Sequence, residues 1–256
     1  MKGFINLILV LIAIIIISCS EDKQVHFPIG ENCNNLQGTQ DDPLYPYQWH
    51  LENVGQSGGS VDEDLDASAV WNRNITGCGV VAIIIDDGLD HTHEDLKDNV
   101  ITDMNYNYLN SKKRDISGIS YNDCERGSGC HGTSVAGIIA ARGMNGIGIR
   151  GIAPDANLAG FNLLYRFTSS NQLDAMVRHK SYEVVSNNSW GPNDKTGQLQ
   201  PSDELWVEGI LNGITNGRNG KGVIYVWAAG NGARFAQGNL NRIDNSNYDG
   251  YANHYG

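Results

Sequence analysis

The stretch that decides the fold is Val80-Val81-Ala82-Ile83-Ile84-Ile85-Asp86-Asp87-Gly88. Six consecutive aliphatic residues are typical of a strand that is buried on both faces of a parallel sheet. The two carboxylates that follow are expected at the carboxyl end of that strand, where open α/β sheets carry their functional groups. We therefore predict a functional carboxylate at Asp86, and an aspartate that merely caps the next turn is the alternative.

The second informative stretch is Cys130-His131-Gly132-Thr133-Ser134-Val135-Ala136-Gly137. Its small residues, and apolar residues three and four positions apart, predict a closely packed helix that begins near the histidine. The partial positive charge of a helix N-terminus disfavours a charged imidazole, which suits a neutral general base; a structural cap is the alternative. A serine-protease triad consists of an aspartate, a histidine and a serine, and in one known chain order the aspartate comes first and the histidine second. The two stretches would therefore supply two of the three triad residues.

A third stretch, Trp227-Ala228-Ala229-Gly230-Asn231-Gly232, follows another apolar segment. An asparagine between glycines is common in turns. Its side-chain amide can equally donate a hydrogen bond to the negative charge that develops in acyl transfer. The sequence leaves both interpretations open at this point.

Strand and helix patterns alternate along the rest of the chain. Strands are predicted at 80–85, 99–106, 157–163, 183–187 and 222–228, and helices near 65–73, 132–142, 172–181 and 203–217. Alternation of helices with apolar strands predicts an α/β fold of three layers, with a mostly parallel, doubly wound sheet and helices on both faces.

Composition narrows the class of protein. The 256 residues suffice for one sizeable α/β domain, and the 31 glycines, above the usual share of roughly 7%, are typical of a loop-rich enzyme. A formal net charge of −11 argues against a nucleic-acid partner, because phosphates require basic patches. The same charge suits a cationic substrate, or it serves solubility alone.

The N-terminus has the pattern of a targeting segment. Residues 1–18 combine Lys2 with an apolar run too short to span a bilayer, which predicts a signal peptide. The polar residues after Cys19 resemble a bacterial lipoprotein signal, in which Cys19 carries the lipid. We therefore predict an exported, membrane-anchored lipoprotein, with simple secretion as the alternative. Residues 19–41 are predicted to be a linker before a core that begins near Asp42.

Export permits disulfides among the four remaining cysteines, Cys33, Cys78, Cys124 and Cys130. Three pairings are formally possible. A Cys124–Cys130 bond is the favoured candidate, because it would brace the segment that enters the histidine helix. Four free thiols are the alternative.

Four motifs resemble the subtilase superfamily and, within it, the kexin and furin group of proprotein convertases. They are Asp86-Asp87-Gly88, His131-Gly132-Thr133, Ser189-Trp190-Gly191-Pro192 and Ala229-Gly230-Asn231-Gly232. The resemblance covers residues 42–256 and implies the N-terminal portion of a subtilisin-like peptidase domain. Its C-terminal part, with a Gly-Thr-Ser-type segment that holds the nucleophile, is expected beyond Gly256. The implied function is a calcium-dependent serine endopeptidase that cleaves peptides or proteins after arginine or lysine, and the 256-residue piece alone is expected to be inactive.

The resemblance assigns catalytic and substrate-binding roles. Asp86 would orient His131, His131 would accept the nucleophile's proton, and Asn231 would stabilise the oxyanion. The substrate-binding residues would be Ser189, Trp190 and Gly191 for the peptide backbone, Asp194 and Asp249 for the first basic side chain, and Asp87 for the next one. Carboxylates match these roles because they bind guanidinium groups in bidentate fashion.

The resemblance also implies calcium as the cofactor. The ligands of a first ion would be Asp42, Asp95 and Asn145, with the backbone carbonyls of Arg142, Ile147 and Ile149. Asp194 and Asp244 would contribute to a second ion. Hard oxygen ligands from a loop are typical of calcium sites; solvated loop residues at Asp95 and Asn145 are the alternative.

The sequence is compatible with one other function and contains one misleading motif. A catalytically inactive subtilase-like lipoprotein that binds basic peptides is the alternative to the protease. Residues 146–151 form a literal G-x-G-x-x-G, but a helix pattern precedes the motif where a dinucleotide site needs a strand, so no nicotinamide cofactor is predicted. The oligomeric state is not indicated by the sequence.

Overall fold

The computed structural model describes residues 28–30, 33, 41–110, 112–113, 130–182, 184–193, 198–231 and 246–254, with 112–113 as backbone only. In these ranges the α-helices are α1 (Ala67–Trp71), α2 (His131–Ala140), α3 (Ser169–Val177) and α4 (Glu204–Asn216). The strands are β1 (Val81–Ile85), β2 (Tyr106–Asn107), β3 (Lys112–Lys113), β4 (Asn157–Phe161), β5 (Val184–Asn188) and β6 (Ile224–Trp227). Short 3-10 helices are formed by Tyr45–Tyr47, Thr102–Met104, Leu163–Arg166, Gly217–Gly220 and Ser246–Tyr248.

The six described strands form one sheet in the order β3-β2-β4-β1-β5-β6. All neighbouring pairs are parallel except β2 and β3, which form an antiparallel edge. In the centre, Val81 of β1 pairs with Asn157 of β4 and with Val184 of β5. The carboxyl ends of β1, β5 and β6 therefore meet at one edge of the sheet.

Helices cover both faces of β1, which explains its uninterrupted aliphatic sequence. Val81, Ile83 and Ile85 point into a core cluster with Met176 of α3 and Trp206 of α4. The intervening Ala82 and Ile84 pack on the other face, in a cluster that contains Ala136 and Ala140 of α2. This confirms the prediction of a three-layer α/β fold.

The helix ends follow from local capping chemistry. The Asp203 carboxylate accepts hydrogen bonds from the backbone N–H groups of Leu205 and Trp206 at the start of α4. Thr168 accepts from the N–H of Asn171 at the start of α3. Each cap satisfies backbone donors that the first helical turn leaves unpaired.

The predicted strand at 99–106 is wrong over most of its length. The structure has a bridge from Val100 to Leu158, then the 3-10 helix Thr102–Met104, and β2 begins only at Tyr106. The reason is that the side chain of Asn105 accepts a hydrogen bond from the N–H of Gly160 (2.7 Å). A side chain thus replaces the backbone pairing that a continuous strand would make.

The middle of the predicted linker, where the structure describes it, is attached to the end of the sheet at which the parallel strands begin. A disulfide joins Cys33 to Cys78, just before β1. The N–H of Gly30 donates to the side chain of Asn157, the first residue of β4 (2.9 Å), and Ile29 packs against the main core cluster. This attachment lies at the end of the sheet opposite to Asp86.

The predicted coverage of both faces does not extend to β6 in the described part of the chain. Ile224 and Val226 are 50% and 48% exposed, because no described element packs on that face. No helix within the described ranges is long and apolar enough to cross a bilayer. The predicted signal peptide lies outside these ranges.

Candidate active site

The two candidate catalytic residues contact each other directly. Nδ1 of His131 lies 3.0 Å from Oδ1 and 2.9 Å from Oδ2 of Asp86. A carboxylate only accepts hydrogen bonds, so this contact favours the tautomer with its hydrogen on Nδ1 and leaves Nε2 as the acceptor. The imidazole is 58% exposed and the Asp86 side chain is fully buried. An oriented imidazole with an accessible Nε2 is what a general base requires.

The environment of Asp86 explains why it can hold the imidazole. Its backbone N–H donates to the carbonyl oxygen of Phe161 in β4, which extends the pairing of β1 to this candidate catalytic residue. Burial raises the pKa of the Asp86 carboxyl to about 6, and hydrogen bonds from the Asp87 N–H and from His131 oppose that rise. The carboxylate is thus removed from water but retains specific partners.

The turn after β1 and the start of α2 are in close contact. The Asp87 carboxylate accepts hydrogen bonds from the backbone N–H groups of His131 (3.1 Å) and Gly132 (2.8 Å). Thr133 accepts from the N–H of Asp90 (2.9 Å). A β-carbon at Gly132 would overlap the carbonyl oxygen of Gly88. Glycine at this position is therefore necessary for the contact between the two segments.

A cavity of about 240 Å³ lies at the same edge of the sheet. It is lined by the segments that follow β5 and β6 and by a later turn: Ser189, Trp190, Gly191, Pro192, Asn193, Gln198, Gln200, Ala228, Ala229, Gly230, Asn231, Tyr248 and Asp249. The structure thus brings together Asn231 and the predicted substrate-binding residues 189–191 and Asp249. Asp87 does not line this cavity.

Asp249 places a carboxylate in the wall of the cavity. Its Oδ1 accepts hydrogen bonds from the backbone N–H groups of Tyr251 (2.8 Å) and Ala252 (3.2 Å). Its Oδ2 lies against Gly191, where an added β-carbon would approach it to 2.8 Å. One oxygen of this cavity-lining residue thus fixes the side chain, and the other lies beside a residue without a side chain.

Three of the predicted calcium ligands converge on the loop after α2. The Asn145 side chain donates to Asp95 (2.8 Å), and its backbone N–H donates to Asp42 (3.0 Å). Both carboxylates are buried, and burial raises the pKa of Asp95. The second oxygen of Asp95 accepts from the N–H of Ile149 (3.0 Å).

The chemistry of this cluster fits a calcium ion. Its ligands would be oxygens only, and the carbonyl oxygens of Arg142, Ile147 and Ile149 accept no hydrogen bond from the part of the chain that the structure describes. No group of three or more His, Cys, Asp or Glu side chains that could hold a metal is present among the described residues. Any ion here would therefore need the Asn145 amide and backbone carbonyls as ligands in addition to Asp42 and Asp95.

Two residues near these sites were missed by the sequence analysis. Arg150 is buried and pairs with Asp42 (Nε to Oδ2, 2.8 Å), so it neutralises one of the candidate ligands. Asn188, fully buried at the end of β5, has a side-chain oxygen without a hydrogen-bond partner within the described residues. A polar residue directly after a predicted strand was the available signal for Asn188; Arg150 offered none.

Several predicted residues cannot be placed. Asp194, Asp244, Cys19 and Cys124 lie outside the described residues. Cys130, at the entrance to α2, is disulfide-bonded, as are Cys33 and Cys78. The predicted partner of Cys130 therefore stays a prediction.

The fold and this site define a class of protein. The domain described as "Subtilase family" (peptidase S8) matches residues 77–252. The chain therefore belongs to the subtilase family, as its motifs predicted.

The chain is also similar to individual proteins. It is 36% identical to neuroendocrine convertase 2 of Drosophila melanogaster, over 88% of this chain and 33% of that protein. It is 36% identical to kexin of Saccharomyces cerevisiae, over 83% of this chain and 24% of that protein. Among solved structures, the Aeromonas sobria serine protease in complex with its chaperone (ORF2) aligns with a TM-score of 0.62 and 29% identity, covering 82% of this chain and 35% of that one. The chain thus spans a quarter to a third of the length of these two curated relatives.

Proposed function

We propose that this chain is part of a subtilisin-type serine endopeptidase. The observation that carries the proposal is the contact of the exposed His131 imidazole with the buried Asp86 carboxylate. In a triad, the carboxylate holds the imidazole in the required tautomer and stabilises its protonated form, while the imidazole takes the proton of the nucleophile. The nucleophile would be a serine that is not among the residues placed at this site.

The site's polar groups suit acyl transfer. Asn231 lies in the wall of the cavity beside the segment 189–191, so its amide would stabilise the oxyanion of the tetrahedral intermediate. The loss of one such donor from the oxyanion hole of a related protease lowers kcat by about 100- to 1,000-fold. The backbone of residues 189–191 would bind the substrate as an added strand.

The preferred substrate would be a peptide or protein with arginine or lysine before the cleaved bond. Asp249 supports this, because it lines the cavity and its two backbone hydrogen bonds both use Oδ1, which leaves Oδ2 for a substrate group. A guanidinium or ammonium group would pair with that oxygen. The net charge of −11 also favours the approach of basic substrates.

Calcium would bind through Asp42, Asp95, Asn145 and the carbonyls of Arg142, Ile147 and Ile149. The ion would supply a cross-link between the loop after α2 and the start of the core. Asp194 and Asp244 would belong to a second ion. We also propose export and lipid anchoring at Cys19, supported by the apolar leader and by the disulfide Cys33–Cys78, which suits an oxidising compartment.

A labelling experiment tests the function. The full-length protein, with calcium present, is treated with a fluorophosphonate probe, which reacts with an activated serine, and is assayed on arginyl and alanyl peptides. We expect labelling, and hydrolysis of the arginyl peptides. Binding of arginyl peptides without labelling or cleavage would instead support the inactive peptide-binding lipoprotein.

The proposed specificity has its own control. Asp249→Asn keeps the oxygen that accepts from Tyr251 and Ala252 and removes only the charge. It should lower kcat/KM for arginyl peptides by at least about tenfold, in line with the loss of a charge-assisted hydrogen bond. The matched variant Glu208→Gln removes an exposed acid on α4 and should leave this value unchanged.

A further inference from the structure

The helix that carries His131 lacks a cap of its own. Cys130 occupies the N-cap position of α2, and no side chain at that position bonds to the helix. A helix N-terminus leaves its first backbone N–H groups without intrahelical partners. These groups include those of His131 and Gly132, so an uncapped helix would leave the catalytic residue in a frayed turn.

The missing cap is supplied by a residue distant in the sequence. Oδ2 of Asp87 accepts from the N–H of His131 at 3.1 Å, and Oδ1 accepts from the N–H of Gly132 at 2.8 Å. A carboxylate suits this place because it pairs with unsatisfied donors and with the positive end of the helix dipole. Both oxygens of Asp87 thus bond to the first two residues of α2.

The same turn holds both the backbone and the side chain of the catalytic histidine. Asp86 contacts the imidazole Nδ1, and the next residue, Asp87, holds the backbone of the same histidine. The N–H of Asp87 in turn donates to Asp86 (2.7 Å), and Gly132 leaves no room for a β-carbon between the segments. A shift of the helix start would therefore move the imidazole relative to Asp86.

We propose that Asp87 is a positioning residue for His131, in addition to any contact with substrate; this inference rests on the proposed proteolytic function. The resemblance to the kexin group assigned Asp87 only to a basic side chain of the substrate. The two roles need different properties: specificity needs the negative charge, whereas positioning needs hydrogen-bond acceptors at this place.

Kinetics of the full-length protein separate the two roles. The substrates are two peptides with arginine before the cleaved bond, one with lysine and one with alanine at the preceding position. Asp87→Ala should lower kcat about tenfold on both peptides, with KM on the alanine peptide little changed. Asp87→Asn and Asp87→Ser retain an acceptor without charge, and kcat on the alanine peptide should stay at least threefold above that of Asp87→Ala. An effect of Asp87→Ala confined to the lysine peptide, or an equal loss in all three variants, would overturn the proposal.

A spectroscopic measurement makes the test independent of proteolysis. In protein labelled with ¹⁵N-histidine, the hydrogen between Nδ1 of His131 and Asp86 should give a low-field proton resonance. We expect this resonance in the wild type and in Asp87→Asn, and its broadening or shift in Asp87→Ala. An identical resonance in Asp87→Ala would refute the positioning role even if the protein is a protease. A changed resonance in a protein that hydrolyses nothing would support the positioning role while the proposed function fails.

The matched control is Glu208→Ala, which removes one exposed carboxylate on α4. It should change neither kcat nor the His131 resonance. If Glu208→Ala lowered kcat as much as Asp87→Ala does, the loss of kcat would result from the change in net charge, and the proposal would be wrong. Where Asp87→Ala does not fold, Asp87→Ser and Asp87→Asn still decide the question, because the proposal requires both to retain the wild-type resonance.

Discussion

The imidazole of His131 contacts both carboxylate oxygens of Asp86, at 2.9 and 3.0 Å, across the junction between β1 and α2. Asp86 is buried because it directly follows an aliphatic strand that is covered on both faces. His131 is exposed because it is the first residue of its helix. The fold thus supplies a fixed carboxylate and an accessible imidazole, which is the asymmetry that proton transfer requires.

Removal of the buried charge at Asp86 should change the pH dependence of stability. The pKa of this carboxyl is raised to about 6, so between roughly pH 4 and pH 6 the native state binds more protons at Asp86 than the unfolded chain does. The free energy of unfolding of the wild type therefore includes a contribution that is present below pH 4 and is lost as the pH rises through 6. Relative to the wild type, Asp86→Asn should gain on the order of 2 kcal/mol across this window.

Urea unfolding of both proteins from pH 4 to pH 8 measures this gain. The exposed acid Glu94 provides the control, since Glu94→Gln should show no comparable gain. If the difference in free energy of unfolding between Asp86→Asn and the wild type stayed constant from pH 4 to pH 8, the raised pKa of Asp86 would be contradicted.

Two glycines of α2 should differ sharply in their tolerance of alanine. At Gly132 the new β-carbon would overlap the Gly88 carbonyl oxygen, so Gly132→Ala should destabilise the protein by several kcal/mol, as overpacking against backbone does. At Gly137 it would meet Ile149 at 3.4 Å, an ordinary contact, and alanine has the higher helix propensity. Gly137→Ala should therefore be neutral or stabilising by up to about 1 kcal/mol. Thermal and urea unfolding compare the two variants, and equal losses would refute the close contact at Gly132.

The disulfide Cys33–Cys78 should contribute substantially to stability. The two cysteines are 45 residues apart, and a cross-link over such a loop corresponds to about 4 kcal/mol of lost unfolded-state entropy. The double variant Cys33→Ser/Cys78→Ser should lose roughly 2–4 kcal/mol in urea unfolding. An unchanged midpoint in the double variant, at an unchanged m-value, would show that this attachment does not hold the core.

The stability that is lost on calcium removal should depend on Asp42 and not on its neighbour Asp41. Asp42 is buried within the candidate calcium cluster, whereas Asp41 is exposed. Chelation with EGTA should lower the melting temperature of the wild type and of Asp41→Asn by several degrees, because bound ligand stabilises the native state. Asp42→Asn should have a lower melting temperature than the wild type before chelation, and EGTA should change that temperature little. The same EGTA response in Asp42→Asn as in Asp41→Asn would exclude this cluster as the calcium site.

The parts of the fold with strong local patterns could be predicted from sequence. β1 and α2 were predicted to within a residue or two, since an unbroken aliphatic run and a three-and-four repeat are local signals. The region 99–106 could not be, because Asn105 makes its decisive hydrogen bond to Gly160, far along the chain. Tertiary contact there overrides the local pattern.

The candidate site shows the same division. Asp86 and His131 could be predicted because each ends or begins an element with a clear pattern. The capping of α2 by Asp87 and the pairing of Arg150 with Asp42 could not, because each joins residues distant in the sequence. The resemblance to the kexin group suggested substrate binding for Asp87, whereas the structure shows its carboxylate bonded to backbone N–H groups.

The central claim is that Asp86 and His131 act as one proton-transfer unit, and kinetics of Asp86→Asn in the full-length protein test it most directly. Asparagine preserves the shape of the side chain but favours the wrong imidazole tautomer. We expect kcat for an arginyl peptide to fall by about 10,000-fold with little change in KM, in a variant that keeps the wild-type circular dichroism spectrum. A kcat within tenfold of the wild-type value would contradict it.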